Sequence, residues 1–293
     1  MIWLVLSILS SSIIFVVFRL LPRFGAHTFP AIVFNYMVAA GCGLAMLGDD
    51  YSIREQLDKP WISGGLLLGT LFISLFYLMA FTAQRVGVGV TSIATKMSLV
   101  IPVAWFMLTD PNDAPTLLKI SAVSLAILGV VLSSKKEKGQ PFNWAYALFP
   151  VIIFMGSGVI DLVIGHFSQG GHLASENDQY LFTAMPFLTS SAIGLSVLLG
   201  RKIKGLPIFN LPTVIGGMLL GLVNFGSIFF LVRTFDAELL DRSALIPVNN
   251  LGVVLVTALA SLLLFSERFT RIKSLGLFVS VVAILLLALS KTA

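Results

Sequence analysis

The sequence predicts an all-α integral membrane protein with ten transmembrane helices in two inverted five-helix repeats. Three observations carry that expectation: the composition, the spacing of the apolar runs, and an internal repeat. The 293 residues are 57% hydrophobic and 11% charged, whereas soluble chains carry about 25% charged residues. A water-soluble fold this apolar would expose large patches and aggregate. A bilayer hydrocarbon core is about 30 Å thick, so each spanning helix needs about 20 apolar residues. Ten such helices use about 200 residues and leave roughly 90 for short connections. The arithmetic excludes disorder, a collagen, a disulfide scaffold and a large extramembrane domain. Continuous apolar runs also exclude a β-barrel, whose strands alternate over about ten residues.

Taken in order, the spans fall at 2–20, 29–47, 61–83, 88–108, 115–134, 143–165, 179–199, 212–232, 239–265 and 271–290. The first has no basic residue ahead of it and no small-residue cleavage site, so it reads as a retained helix. Pro60, Pro115 and Pro212 stand at or just before helix starts, where a missing N–H costs nothing. Pro22, Pro30, Pro111 and Pro141 punctuate connections. Pro102 and Pro247 fall inside the fourth and ninth spans and are expected to bend them. Cys42 is the only cysteine and lies in an apolar run, so no intrachain disulfide forms and it reads as a small buried residue.

Self-comparison gives the repeat. The run Pro60-Trp-Ile-Ser-Gly-Gly-Leu-Leu-Leu-Gly69 matches Pro212-Thr-Val-Ile-Gly-Gly-Met-Leu-Leu-Gly221 at six of ten positions, without a gap, at an offset of 152 residues. The same offset lays Lys119-Ile120 on Arg271-Ile272, Leu125 on Leu277 and Val130 on Val282. The third span thus falls on the eighth and the fifth on the tenth, which divides the chain into 1–138 and 139–293. Five is odd, so the second copy enters the membrane from the opposite side. Inverted halves are a signature of secondary transporters, whose site lies near the midplane between the repeats. Gly65/Gly69 and Gly217/Gly221 put small residues one turn apart, as close helix packing requires.

The run Leu262-Leu-Leu-Phe-Ser-Glu-Arg-Phe-Thr-Arg-Ile-Lys-Ser-Leu-Gly276 resembles the Leu-Leu-Leu-Gly-Glu-Arg sequence that precedes the last helix in the drug/metabolite transporter superfamily, EamA-type. Ser266 replaces the usual Gly, and the first half departs further, with Thr109-Asp-Pro-Asn-Asp113. The resemblance covers nearly the whole chain and implies the architecture rather than the solute. It also implies a cavity built from spans 1–4 and 6–9, work without a cofactor, and a multi-pass place in a bacterial cytoplasmic (inner) membrane, as a monomer or homodimer.

Charge sets the expected orientation. Twelve basic residues stand at the connections after spans 1, 3, 5, 7 and 9, against six at the others, and the acidic residues split two against eleven. The positive-inside rule then puts the odd connections in the cytoplasm and both termini outside, whereas the resemblance implies cytoplasmic termini. The net charge of +5 has no basic stripe with interleaved aromatics, so no nucleic-acid partner is expected.

Two ionisable groups stand well inside spans: Lys96 in the fourth and Asp161 in the sixth. Each costs about 2.5–3.5 kcal/mol to insert, which argues against idle placement. They pair as a bridge between the halves, or meet the solute in a cavity, or one snorkels from nearer a helix end. In a cavity, Lys96 suits a carboxylate or phosphate. Asp161 suits an amine, or carries a coupling proton; that second role needs a carboxyl that exchanges protons near neutral pH, which a nearby ammonium opposes. Asn35, Tyr77, Asn224 and Asn249 join them as expected solute-binding residues, with Tyr36 and Asn250 alongside. Interhelical hydrogen bonding is the alternative for each Asn.

His166, His172, Glu176 and Asp178 form the one cluster resembling metal ligands, but their spacing is too loose and no metal is expected. Arg233, Asp236, Glu238, Asp241 and Arg242 read as helix-end charges, or as an ion-pair gate. No Gly-x-x-x-x-Gly-Lys-Ser/Thr loop is present to drive transport with ATP. The expected function is therefore secondary transport of a small amino-acid-like or other amphipathic solute by alternating access, through exchange or proton coupling. No enzymatic activity is expected. The alternatives are an intramembrane enzyme, for which no nucleophile–base pair or metal cluster stands out, and a flippase of a lipid-linked solute.

Overall fold

The computed structural model describes residues 2–46, 59–109, 116–133, 144–169, 176–204, 210–236, 242–267 and 270–290. Among the described residues all regular structure is helical: α1 (Ile2–Leu20), α2 (Thr28–Leu44), α3 (Trp61–Arg85), α4 (Val88–Met97), α5 (Val100–Thr109), α6 (Leu117–Ser133), α7 (Trp144–Gln169), α8 (Glu176–Ile203), α9 (Leu211–Asp236), α10 (Arg242–Phe265) and α11 (Arg271–Ser290). A short 3-10 helix, Leu21–Phe24, extends α1 and closes on Gly25, whose φ of 72° only glycine adopts freely.

Seven helical stretches are long and apolar enough to cross a membrane, and three shorter apolar helices (Thr28–Leu44, Leu117–Leu132 and Leu148–Ile164) accompany them. The outer surface is apolar as well. Leu117, Leu263 and Phe278 are 81%, 71% and 63% exposed, a surface stable in hydrocarbon and unstable in water. The chain is an all-α integral membrane protein.

The fourth expected span is two helices. Pro102 has no N–H to give the Ser98 carbonyl four residues earlier, and its ring crowds that carbonyl. The chain tightens instead: Ile101 N–H takes Ser98 O at 2.9 Å, and the helix is interrupted at Ser98–Leu99. Pro247 does not interrupt its helix, and α10 runs through it. It is the sixth residue of its helix, so the carbonyl it leaves free belongs to the first turn, where little of the ladder is lost. Helices α7, α8 and α9 also outrun their apolar stretches, because backbone hydrogen bonding continues through polar residues beyond the hydrocarbon.

Packing pairs the two halves of the chain. Helix α2 lies on α9 and α8, α3 on α8 and α7, α1 on α9 and α10, α4 on α10 and α7, and α6 along α11. The glycines sit at these crossings. A Cβ on Gly69 would lie 2.8 Å from Pro186 O of α8, and one on Gly221 would lie 2.7 Å from Asn35 O of α2. The main core, which includes Phe18, Tyr36, Met97, Phe187 and Val254, runs through both halves, and a smaller cluster of Trp61, Leu68, Leu181 and Phe182 joins α3 to α8.

Candidate functional site

Helix α4 occupies the centre, with α1, α3, α6, α7, α10 and α11 packed around it. Eight of its ten residues are buried; Thr95 and Lys96 are the half-buried pair. The Pro102 break sits next to this pair and turns Ser98 toward α7.

Ser98 Oγ lies 3.0 Å from Asp161 Oδ2, and also 2.6 Å from Thr95 O. A hydroxyl has one hydrogen and both neighbours are acceptors, so an ionised Asp161 shares its donor with the backbone. Asp161 is half-buried on α7 and interacts electrostatically with Lys96. The two are nevertheless not in contact. Among the described residues Lys96 Nζ donates no hydrogen bond, and no nitrogen–oxygen approach of 4.0 Å or less joins it to Asp161. From the other side, Asn250 Nδ2 of α10 donates to Lys96 O at 3.4 Å, and Ser92 and Thr257 hydroxyls meet at 2.6 Å between α4 and α10. Asn249 is 3% exposed, and among the described residues its Oδ1 has no partner.

The other expected residues lie elsewhere. Asn224 Nδ2 donates to Asn35 Oδ1 at 3.2 Å, which joins α9 to α2 beside the Gly221 crossing. Tyr77 is 45% exposed and meets Phe29 edge-on at 5.5 Å. Tyr36 is fully buried among Phe76 and Phe187, with a hydroxyl that has no partner among the described residues. Asp178 is held by Lys59 at 3.0 Å, and among the described residues no three His, Cys, Asp or Glu side chains converge as metal ligands. His172, Glu238 and Asp241, like the side chains of Glu176, Asp236 and Arg242, lie outside what is described.

Sequence reasoning missed Ser98, although its place four residues before Pro102 marks the carbonyl that loses its partner. It also missed the role of Glu267. Just past the end of α10, Ser266 is held at φ 50°, a conformation that glycine adopts without strain. Glu267 N–H then reaches back to Ser261 O at 3.0 Å, a helix-ending turn that aims the side chain outward. Its Oε1 accepts Val88 N–H at 3.1 Å, at the start of α4. Gly87 makes room for it: a Cβ there would lie 2.8 Å from Glu267 Oε2, and its φ is 138°. A carboxylate on a helix N-terminus is favourable both as a cap and against the dipole.

More contacts tie the same end of the bundle, the end that carries the basic connections. Arg19 Nη1 donates to Ala83 O at 3.0 Å, Gln84 Nε2 donates to Phe18 O at 2.9 Å, and Asn210 Nδ2 donates to Gly25 O at 2.9 Å. Helices α1, α3 and α4 pack on one another there, whereas among the described residues α7, α9 and α10 make no comparable contact. Glu267→Ala should loosen this end. Labelling of an Ala26→Cys site by an impermeant thiol reagent, in a Cys42→Ser background, should rise severalfold; unchanged labelling removes Glu267 from the closure.

No family model matches the chain. It is similar to an uncharacterised protein of Haemophilus influenzae, at 26% identity over 288 residues that cover 96% of this chain and 95% of that one.

Proposed function

We propose that the chain is a secondary transporter of the drug/metabolite transporter superfamily, EamA-type, which carries a small organic metabolite across a bacterial cytoplasmic membrane by alternating access. The observation that carries this reading is a pair of opposite charges, Lys96 and Asp161, half-buried at the centre of the helix bundle and not in contact with each other. A purely structural pair would close to a direct ion pair, since isolated charges in the interior are costly. A site that opens to one side and then the other keeps both charges reachable.

The packing supports two inverted five-helix halves within ten spans. Exchanging α1 for α7, α2 for α8, α3 for α9, α4 with α5 for α10, and α6 for α11 turns the α2–α9 contact into α8–α3, and α1–α9 into α7–α3. The α2–α8, α4–α10 and α6–α11 contacts map onto themselves. The helix-start clips match as well: Lys59 at the start of α3 holds Asp178 on α8, and Asn210 at the start of α9 holds Gly25 ahead of α2. Among the described residues, by contrast, the α1–α3–α4 cluster has no comparable counterpart in α7, α9 and α10. That difference supports reading the chain as a carrier shut at its basic end, one of the two states rocking repeats require.

Counterflow tests the reading. Proteoliposomes preloaded with a mixture of unlabelled amino acids and small organic acids should accumulate labelled members of that mixture transiently, and only when the protein is present. Folded protein that exchanges none of them sinks the proposal. By the positive-inside rule the closed end faces the cytoplasm, so a C-terminal phosphatase fusion should be active and a fluorescent fusion dark. The opposite result places both termini in the cytoplasm.

A further inference from the structure

We propose that the solute is a small zwitterion, with its carboxylate on Lys96 and its ammonium on Asp161; this rests on the transport reading above and narrows it to a substrate class. The demand comes from unfilled valences at one place. Lys96 Nζ carries three donors and no acceptor, and among the described residues it makes no hydrogen bond. Among the described residues Asp161 is supplied by Ser98 alone, on one of its two oxygens, and Thr95 O competes for that hydrogen. Lys96 Nζ therefore lacks an acceptor, and Asp161 is short of donors.

A carboxylate supplies the first and an ammonium the second. The opposite charges interact electrostatically without reaching ion-pair distance, so neither is used up by the other. An anion alone satisfies Lys96 but adds a negative charge facing Asp161, and a cation alone repeats the fault with the sign reversed. A solute with both groups pairs each and leaves the occupied site neutral, the condition for enclosing it away from water. The side chain of the solute meets no such demand, so selectivity rests first on the two charges.

Matched compounds separate these cases. The purified full-length protein in detergent is heated with L-phenylalanine or L-leucine, with their carboxylate-only analogues hydrocinnamate and isocaproate, and with their amine-only analogues phenethylamine and isoamylamine. The amino acids should raise the unfolding midpoint, and loss of either charged group should weaken apparent binding about 10- to 100-fold. Lys96→Asp and Asp161→Lys should each abolish the response, and the double exchange should restore it. Restoration excludes a general folding defect as the cause of the single losses. Equal stabilisation by an analogue with one charge, or no response to any of the six compounds, overturns the zwitterion. Counterflow distinguishes the two readings: exchange of a singly charged solute leaves transport standing without the zwitterion, and amino-acid binding without counterflow leaves the site standing without transport.

Discussion

Lys96→Met abolishes counterflow and at the same time leaves the protein as stable as the wild type, or more so. The two halves of this expected result come from the same geometry. Lys96 sits half-buried on the most enclosed helix of the bundle, with no hydrogen bond from Nζ among the described residues. The folded state therefore carries the desolvation cost of the ammonium without the return of a close ion pair. Methionine keeps a similar length and removes the charge, so the unfolding midpoint should hold or rise. Binding loses the partner of a buried solute charge, a change worth about 2–5 kcal/mol and large enough to take exchange to background. Asp161→Asn should do the same to exchange, with Ser98 still able to donate to the amide oxygen. The check is paired: counterflow and detergent unfolding on the same preparations. A Lys96→Met protein that exchanges normally, or one that unfolds several degrees earlier, shows Lys96 to be a structural bridge.

Much of this was legible in the residues, and the reasons differ by feature. Apolar runs located the helices because a lipid solvent forces continuous hydrophobicity on each span. Their ends were less legible: α7 continues to Gln169 and α8 begins at Glu176, since backbone hydrogen bonding outlasts hydrophobicity. Pro102 announced a disturbance in the fourth span, but a full interruption depended on the Ser98 carbonyl finding Ile101 N–H. Lys96 and Asp161 stood out because charges are expensive in hydrocarbon. Their neighbours did not, because a serine or threonine in a span is ordinary until a helix from the other half brings it to a carboxylate or a hydroxyl. Asn35 and Asn224 look alike in sequence to Asn249, yet Asn224 donates to Asn35 and, among the described residues, Asn249 Oδ1 has no partner. That distinction depends on which helices cross, and one chain read along its length does not contain it. Glu267 was visible only as part of a helix-ending run, because its partner at Val88 lies 179 residues away.

Gly69→Leu and Gly221→Leu should each prevent accumulation of folded protein, and the corresponding alanines should grade the effect. At Gly221 a Cβ meets Asn35 O and Val38 Cβ, both at 2.7 Å, and at Gly69 it meets Pro186 O at 2.8 Å. Backbone carbonyls cannot rotate aside, so the helices must separate, and overpacking of this kind costs about 1–3 kcal/mol. Alanine returns about 1 kcal/mol through its better helix propensity, which leaves the net destabilisation moderate for alanine and severe for leucine. Gly41 provides the control: on α2 it has nothing within 4 Å of an added Cβ, so Gly41→Ala gains the propensity without the clash and should raise the unfolding midpoint. Gly69 and Gly221 serve different crossings, α3 on α8 and α9 on α2, so the double alanine variant should lose the sum of the single losses. Stabilisation by alanine at both positions would mean that the helices stand farther apart than these contacts require. Destabilisation at one position alone would mean that the two crossings, matched in sequence at an offset of 152 residues, are not equivalent in the bundle.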